Sequence, residues 1–163
     1  MKHIENSIYK IITSMGSGSG FVLKGYNLII TNFHVVAGHK NVAIETQTKD
    51  RYLANVVMVN PTVDLAFLVV DGLELEGAIT LDENLSVENL NDLYICGFPF
   101  GMPYTITQGV VSAASQQMDG QLYLQTDGAV NPGNSGGPMI NKEGQLMAVT
   151  TSKFTDADNV GFG

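Results

Sequence analysis

Ser135 sits in "DGAVNPGNSGGPM", Asp127 to Met139, with four glycines and two prolines around it. Helix and strand interiors do not tolerate that composition, so the segment reads as a loop. A serine hydroxyl is a weak nucleophile by itself. It needs a base within hydrogen-bond reach, and a pair of donors for the oxyanion that forms when it attacks a carbonyl. Glycines let successive backbone N–H groups converge on one point. In "GNSGG" the N–H groups of Gly133 and Ser135 are the natural pair. Pro132 stiffens the approach to the loop and Pro138 ends the turn. The plain alternative is a β-turn with an incidental serine, and the loop alone does not decide between the two.

The base that suits a serine is histidine, and the chain has three. His3 lies near the terminus and His39 lies in the polar turn "AGHKN"; both read as solvated. His34, in "IITNFHVVAG", follows a strand and sits amid apolar residues. A lone histidine in such a place is ordinarily a core residue, but a candidate nucleophile elsewhere in the chain makes a catalytic base the better reading. A histidine base needs a carboxylate to fix its tautomer and stabilise its charged form. Asp64, in "NPTVDLAFLVV", opens a very apolar strand, where a carboxylate is partly buried and needs a partner. Its plain alternative is a strand-end cap. Asp50, Asp71 and Asp127 are weaker candidates, each in an evident turn or loop.

These groups must be carried by strands. "SGFVLKGYNLIITNF" reads as strand, turn and strand, with Lys24–Asn27 as the turn. "NVAIETQ" alternates Val42, Ile44 and Thr46, as a half-buried strand does. "YLANVVMVN" and "LAFLVV" are rich in β-branched residues. After an acidic, turn-rich stretch, residues 74–92, strands resume in "LYICGF", "TITQGVVSAA", "QLYLQTD", "PMINKEG" and "QLMAVTTS". A single helical turn near His34 is the one departure from the β pattern. The expectation is an all-β fold of two packed barrels: one over about residues 4–72, a linker over about 73–90, and one over about 91–163.

Composition limits the partners. The formal net charge of −8, with no basic run, gives no general attraction to nucleic acid or anionic lipid. The single cysteine, Cys96, lies in the apolar "LYICGFP" and reads as a buried structural thiol. No His, Cys, Asp and Glu cluster has metal-site spacing, so neither a metal nor another cofactor is expected. The first residues, "MKHIENSIYKIITSMG", lack the pattern of a signal peptide, and no segment reaches the length of a membrane span.

The order His34, Asp64, Ser135 is that of the trypsin/chymotrypsin superfamily. More narrowly, the chain resembles the HtrA/Deg serine proteases. "GSGSGFVL" and "LIITNFHVVAG" look like that family's first strands and histidine motif, and "DLAFLVV" like its aspartate strand. "ICGFPFGMPYTITQGVVSA" looks like the lead into its second barrel. "LQTDGAVNPGNSGGPMINKEGQLMAV" looks like its serine motif and is the most specific match. The resemblance implies two antiparallel six-stranded barrels of chymotrypsin type, with a cleft between them. It implies hydrolysis of peptide bonds through an acyl-enzyme, with Ser135 as nucleophile, His34 as base then acid, and Asp64 as orienting carboxylate. Gly133 and Ser135 would supply the oxyanion N–H groups.

Six residues before the nucleophile, Ala129 puts no charge at the base of the specificity pocket, so a small or medium apolar side chain is expected before the scissile bond. Ala148, Val149, Thr150, Thr151 and Ser152 would form the strand that pairs with an extended, unfolded polypeptide substrate. The resemblance also implies quality-control or regulatory proteolysis, and residence in the periplasm or cell envelope. Without an export signal in the chain, the cytoplasm is the alternative. The short N-terminus does not plainly offer the aromatic extension that builds trimers in this family, and the C-terminal end, "NVGFG", is expected to be truncated. Rearrangement of the loops at Phe98–Thr105 and Gln125–Gly133 is the expected route of activation. The competing expectation is a latent or inactive protease-like module that binds peptides as a chaperone does.

Overall fold

The computed structural model describes residues 4–75, 77–98, 103–118, 121–131, 133–151 and 161–162. After a one-turn 3-10 helix, Ile4–Ser7, come β1 (Ile8–Thr13), β2 (Gly16–Phe21) and β3 (Ile29–Thr31). The four-residue helix α1 (Phe33–Val36) follows, then β4 (Asn41–Glu45), β5 (Arg51–Asn60) and β6 (Leu65–Val70). These six strands close into an antiparallel barrel in the order β1-β2-β3-β6-β5-β4. The second set is β7 (Asp92–Gly97), β8 (Thr105–Met118), β9 (Gln121–Thr126), β10 (Pro138–Ile140), β11 (Leu146–Val149) and β12 (Gly161–Phe162). It forms a six-stranded sheet in the order β11-β10-β7-β8-β9-β12, curled into a half-barrel with β11 and β12 at its edges. The fold is of the chymotrypsin-like type expected, with its second barrel open.

Period-two patterning explains the barrel. β6 alternates half-buried and buried residues along its length, and β4 buries Val42 and Ile44. Thr46 falls just past β4, where its N–H donates to the Asp50 carbonyl and starts the turn to β5. Ile11, Ile29, Ile44 and Leu68 meet inside the barrel. Each buried aliphatic side chain of this size contributes about 1.5–3 kcal/mol. β2, "GSGSGF", packs against this core through missing side chains. A Cβ on Gly20 would lie 2.6 Å from Ile29 and 2.9 Å from Ile11.

A separate apolar layer joins the two halves. Ile8, Phe21 and Leu23 of the barrel side meet Cys96, Phe98 and Ile140 of the sheet side. The acidic stretch between the halves is pinned into this layer by Ile79, which is fully buried. The Ala78 N–H donates to Ser7 Oγ at 2.7 Å, and the Lys24 N–H donates to the Ile79 carbonyl at 2.8 Å. The sheet has its own core of Leu93, Ile95, Val111, Leu124 and Met139. Among the described residues, no helix is long and apolar enough to cross a membrane.

Candidate active site

β3 ends at Thr31 and delivers the chain to Asn32, which is extended (φ −78°, ψ 145°) ahead of α1. The Asn32 side chain does not cap the helix. Its Nδ2 donates instead to the Asp64 carbonyl at 3.0 Å. The Phe33 N–H donates to the same carbonyl at 3.1 Å. The Asp64 carboxylate then takes both groups of His34. The backbone N–H donates to Oδ1 at 2.8 Å, and Nδ1 lies 2.6 Å from Oδ2. Four contacts thus strap Asp64 to the start of α1. They hold it in a left-handed conformation, φ +58°, which non-glycine residues adopt at a cost and Asp tolerates better than most.

An ionised carboxylate can only accept hydrogen bonds, so Nδ1 must carry a proton. In the neutral ring Nε2 is then the basic nitrogen. The His34 side chain is 44% exposed while that of Asp64 is 15% exposed. The acid is shielded and the base faces solvent. His34 therefore lies at the rim of the barrel rather than in its core. His39 stands apart, with Nε2 3.3 Å from Ser14 Oγ and Nδ1 3.1 Å from the Ala37 carbonyl. The other aspartates are occupied locally. Asp50 accepts from the Thr48 hydroxyl, Asp71 from Asn55, and Asp127 from the Val110 N–H. His3 lies outside the described residues.

The serine loop is held from both halves of the molecule. The Ser135 carbonyl accepts from the Ser19 N–H at 2.9 Å, across from β2. The Gly136 N–H donates to the Thr150 carbonyl at 2.9 Å, and the Thr150 N–H returns to the Gly137 carbonyl at 2.8 Å. Gly133 and Gly136 take φ of +97° and +91°, which only glycine adopts freely. Gly136 is further constrained by contact, because a Cβ there would lie 2.1 Å from the Ser19 carbonyl oxygen and 2.2 Å from Thr31 Oγ1. Ser135 itself is 4% exposed. His34, Gly133 and Ser135 line one cleft of about 230 Å³, with Val35 and the β1–β2 hairpin residues Met15 and Ser17 completing its wall.

The structure therefore brings His34, Asp64, Gly133 and Ser135 together. Ala129 is exposed and is not among the residues lining that cleft. Ala148 and Val149 lie on β11, an edge of the second sheet, and Thr150 and Thr151 extend it. Thr150 is tied to the serine loop through both of its backbone groups, and its Oγ1 is buried with no hydrogen-bond partner among the described residues. Ser152 and Pro132 lie outside the described residues, as do residues 99–102 of the first expected mobile loop. Asn32 and Ser19 were missed in the sequence. Asn32 precedes a helix and looks like a cap, and Ser19 sits in a glycine-rich strand with no apparent partner. Cys96 is buried between the halves, and burial pushes its thiol up to about 11 against the opposing hydrogen bond from Tyr104.

A chymotrypsin-like fold that gathers a histidine, an aspartate and a loop serine defines a class, and comparison with known proteins narrows it. Residues 18–149 match the family described as trypsin-like peptidase domain. The chain is 36% identical over 148 residues to the mitochondrial serine protease HTRA2 of Bos taurus, covering 86% of this chain and 32% of that protein. It is 33% identical over 141 residues to a probable periplasmic serine endoprotease, DegP-like, of Pseudomonas putida, covering 85% of this chain and 29% of that one. Among solved structures, the inactive form of the M. tuberculosis Rv3671c protease superposes with a TM-score of 0.86 at 27% identity, over 99% of this chain and 84% of that one. The chain belongs to the trypsin-like serine peptidases, of the HtrA/Deg type. It spans about a third of the length of the curated relatives it matches.

Proposed function

We propose that the chain is a single serine protease domain, residues 1–163, cutting polypeptides through an acyl-enzyme with His34, Asp64 and Ser135 as its triad. Within it the N-terminal barrel spans about 4–72, the linker about 73–90 and the C-terminal half about 91–163. The observation that carries the reading is the 2.6 Å contact between His34 Nδ1 and Asp64 Oδ2 in a site whose cleft also contains Ser135. In that tautomer Nε2 takes the Ser135 proton as Oγ attacks the scissile carbonyl. The Asp64 carboxylate stabilises the imidazolium, and the Gly133 and Ser135 N–H groups receive the oxyanion. His34 then protonates the leaving amine, and the same steps run with water to release the acyl group.

Extended, unfolded polypeptide is the proposed substrate. It would pair along the Ala148–Ser152 edge, with a small or medium apolar residue placed near Ala129 before the scissile bond. Edge strands present unpaired backbone groups suited to such pairing. The names of the relatives, one mitochondrial and one periplasmic, support periplasmic, envelope or organellar residence; quality-control or regulatory proteolysis is the corresponding proposal for the chain's role.

The test is intact mass after treatment with a fluorophosphonate, with His34→Ala as control. One adduct mapped to Ser135, and lost in the control, is expected. Parent protein that takes no adduct under conditions where a known trypsin-like protease is fully labelled would overturn the reading. It would favour a module that binds peptides without cutting them.

A further inference from the structure

We infer that Ser19 is a positioning residue for the oxyanion loop, an inference that rests on the protease reading above. Ser19 is on β2, in the other half of the molecule from Ser135, and is wholly buried. Each of its polar groups is used. The hydroxyl donates to the Gly133 carbonyl at 2.7 Å and accepts from the Phe98 N–H at 3.0 Å. Its N–H donates to the Ser135 carbonyl at 2.9 Å, and its carbonyl accepts from the Thr31 hydroxyl at 2.7 Å. The hydroxyl's partners lie 114 and 79 residues away in the chain.

The space for this side chain is made by glycines. A Cβ on Gly97 would come 2.8 Å from Ser19 Oγ, and one on Gly137 would come 3.3 Å from Ser19 Cβ. The need for such anchoring is physical. Gly133 is left-handed, φ +97°, and peptide groups beside a glycine rotate at little steric cost. An oxyanion donor is useful only if it already points at the developing charge. Ser19 fixes the carbonyls of Gly133 and Ser135. The peptide groups to which these belong flank the one carrying the Ser135 N–H. Through the Phe98 N–H the same hydroxyl ties the end of β7 to the loop, so a displacement at Phe98 reaches the Gly133 carbonyl through one shared oxygen.

The test compares the parent chain with Ser19→Ala on a casein-derived fluorogenic peptide, and measures binding of a peptide aldehyde and of the corresponding alcohol. The aldehyde forms a hemiacetal whose oxygen needs the donors, and the alcohol does not. Expected are a fall in kcat of about 10- to 100-fold, KM within about two-fold, an equal loss of aldehyde affinity, and unchanged alcohol affinity. A variant with lower Tm but unchanged kcat per folded molecule overturns the inference, as does a change confined to KM. Should Ser19→Ala not fold, Ser19→Cys keeps a side chain of similar shape there with a weaker donor, and the same kinetic pattern is required. A parent that takes no fluorophosphonate adduct defeats the protease reading alone. Amide exchange then tests the anchoring: Ser19→Ala must speed exchange at Phe98 and Asn134 about ten-fold or more, and no acceleration overturns it.

Discussion

The two ends of the proposed relay are held in different ways. The His34–Asp64 pair is built within the barrel, by hydrogen bonds among residues 32 to 64. The barrel is closed, with no strand edge to fray. The Ser135 loop belongs to an open sheet, and two of its carbonyls are held by Ser19 of the barrel. The acid–base pair can form as soon as the barrel does. The nucleophile and its oxyanion donors are in register only when both halves are packed. The proposed site therefore has a natural division, with the His34–Asp64 pair set in the closed barrel and the Ser135 loop dependent on the packing of both halves.

Breaking the chemistry at each side gives the largest effects. Ser135→Ala and His34→Ala should each cost on the order of 10⁶ in turnover, while Asp64→Asn should cost about 10⁴. Because an Asn oxygen can still accept the His34 N–H, Asp64→Asn should melt near the parent temperature. Peptidase assays beside calorimetry decide this, and turnover in Ser135→Ala within ten-fold of the parent would remove it as nucleophile.

Glycine substitutions sharpen the contrast in stability. Gly136→Ala forces a Cβ to within 2.1 Å of backbone oxygen at φ +91°. It should destabilise by about 4 kcal/mol or more, by overlap added to backbone strain. Gly38→Ala has the same left-handed backbone, φ +82°, but open space around it. It should cost only about 1 kcal/mol, for backbone conformation alone. Urea denaturation of the pair measures the difference, and equal losses would mean that the halves are not in close contact at Gly136.

An effect smaller than that of Gly136→Ala reports on the layer between the halves. The Cys96 thiol is raised to about 11 in the folded state, principally by burial, so the unfolded chain loses its proton first as pH rises. Stability should then fall between about pH 9 and 11 by about 2–3 kcal/mol from this group. The parent's loss over that window should exceed that of Cys96→Ala by this amount in urea titrations at pH 8 and pH 11. Identical pH dependence would place the thiol in contact with water.

Much of the site was legible because each residue announced itself locally. A serine among four glycines cannot belong to regular structure, and an aspartate opening "DLAFLVV" needs a partner. Strand alternation likewise located β4, and an apolar run with β-branched residues located β6. Hydrophobicity alone misleads on β5, whose "VVMV" run looks like core although Val57, Met58 and Val59 are exposed. The strand continues past the interior along its pairing with β6, with a register shift between Val56 and Met58. Ser19 and Asn32 were invisible for a different reason. A buried hydroxyl or amide is recognised by its hydrogen-bond partners, and the hydroxyl's partners lie 114 and 79 residues away and the amide's 32.

The sequence by itself determined the β class, the loop character around Ser135 and the short set of residues able to do proton transfer. These follow from side-chain chemistry and period-two patterning, which are local properties. Tertiary structure alone decided how Asp64, which the sequence already favoured over Asp50, Asp71 and Asp127, meets both groups of His34, and that Ser19 reaches across to hold the serine loop. Those choices depend on which distant backbones approach within hydrogen-bonding range, and strand order and glycine-cleared packing set that only once the chain has folded.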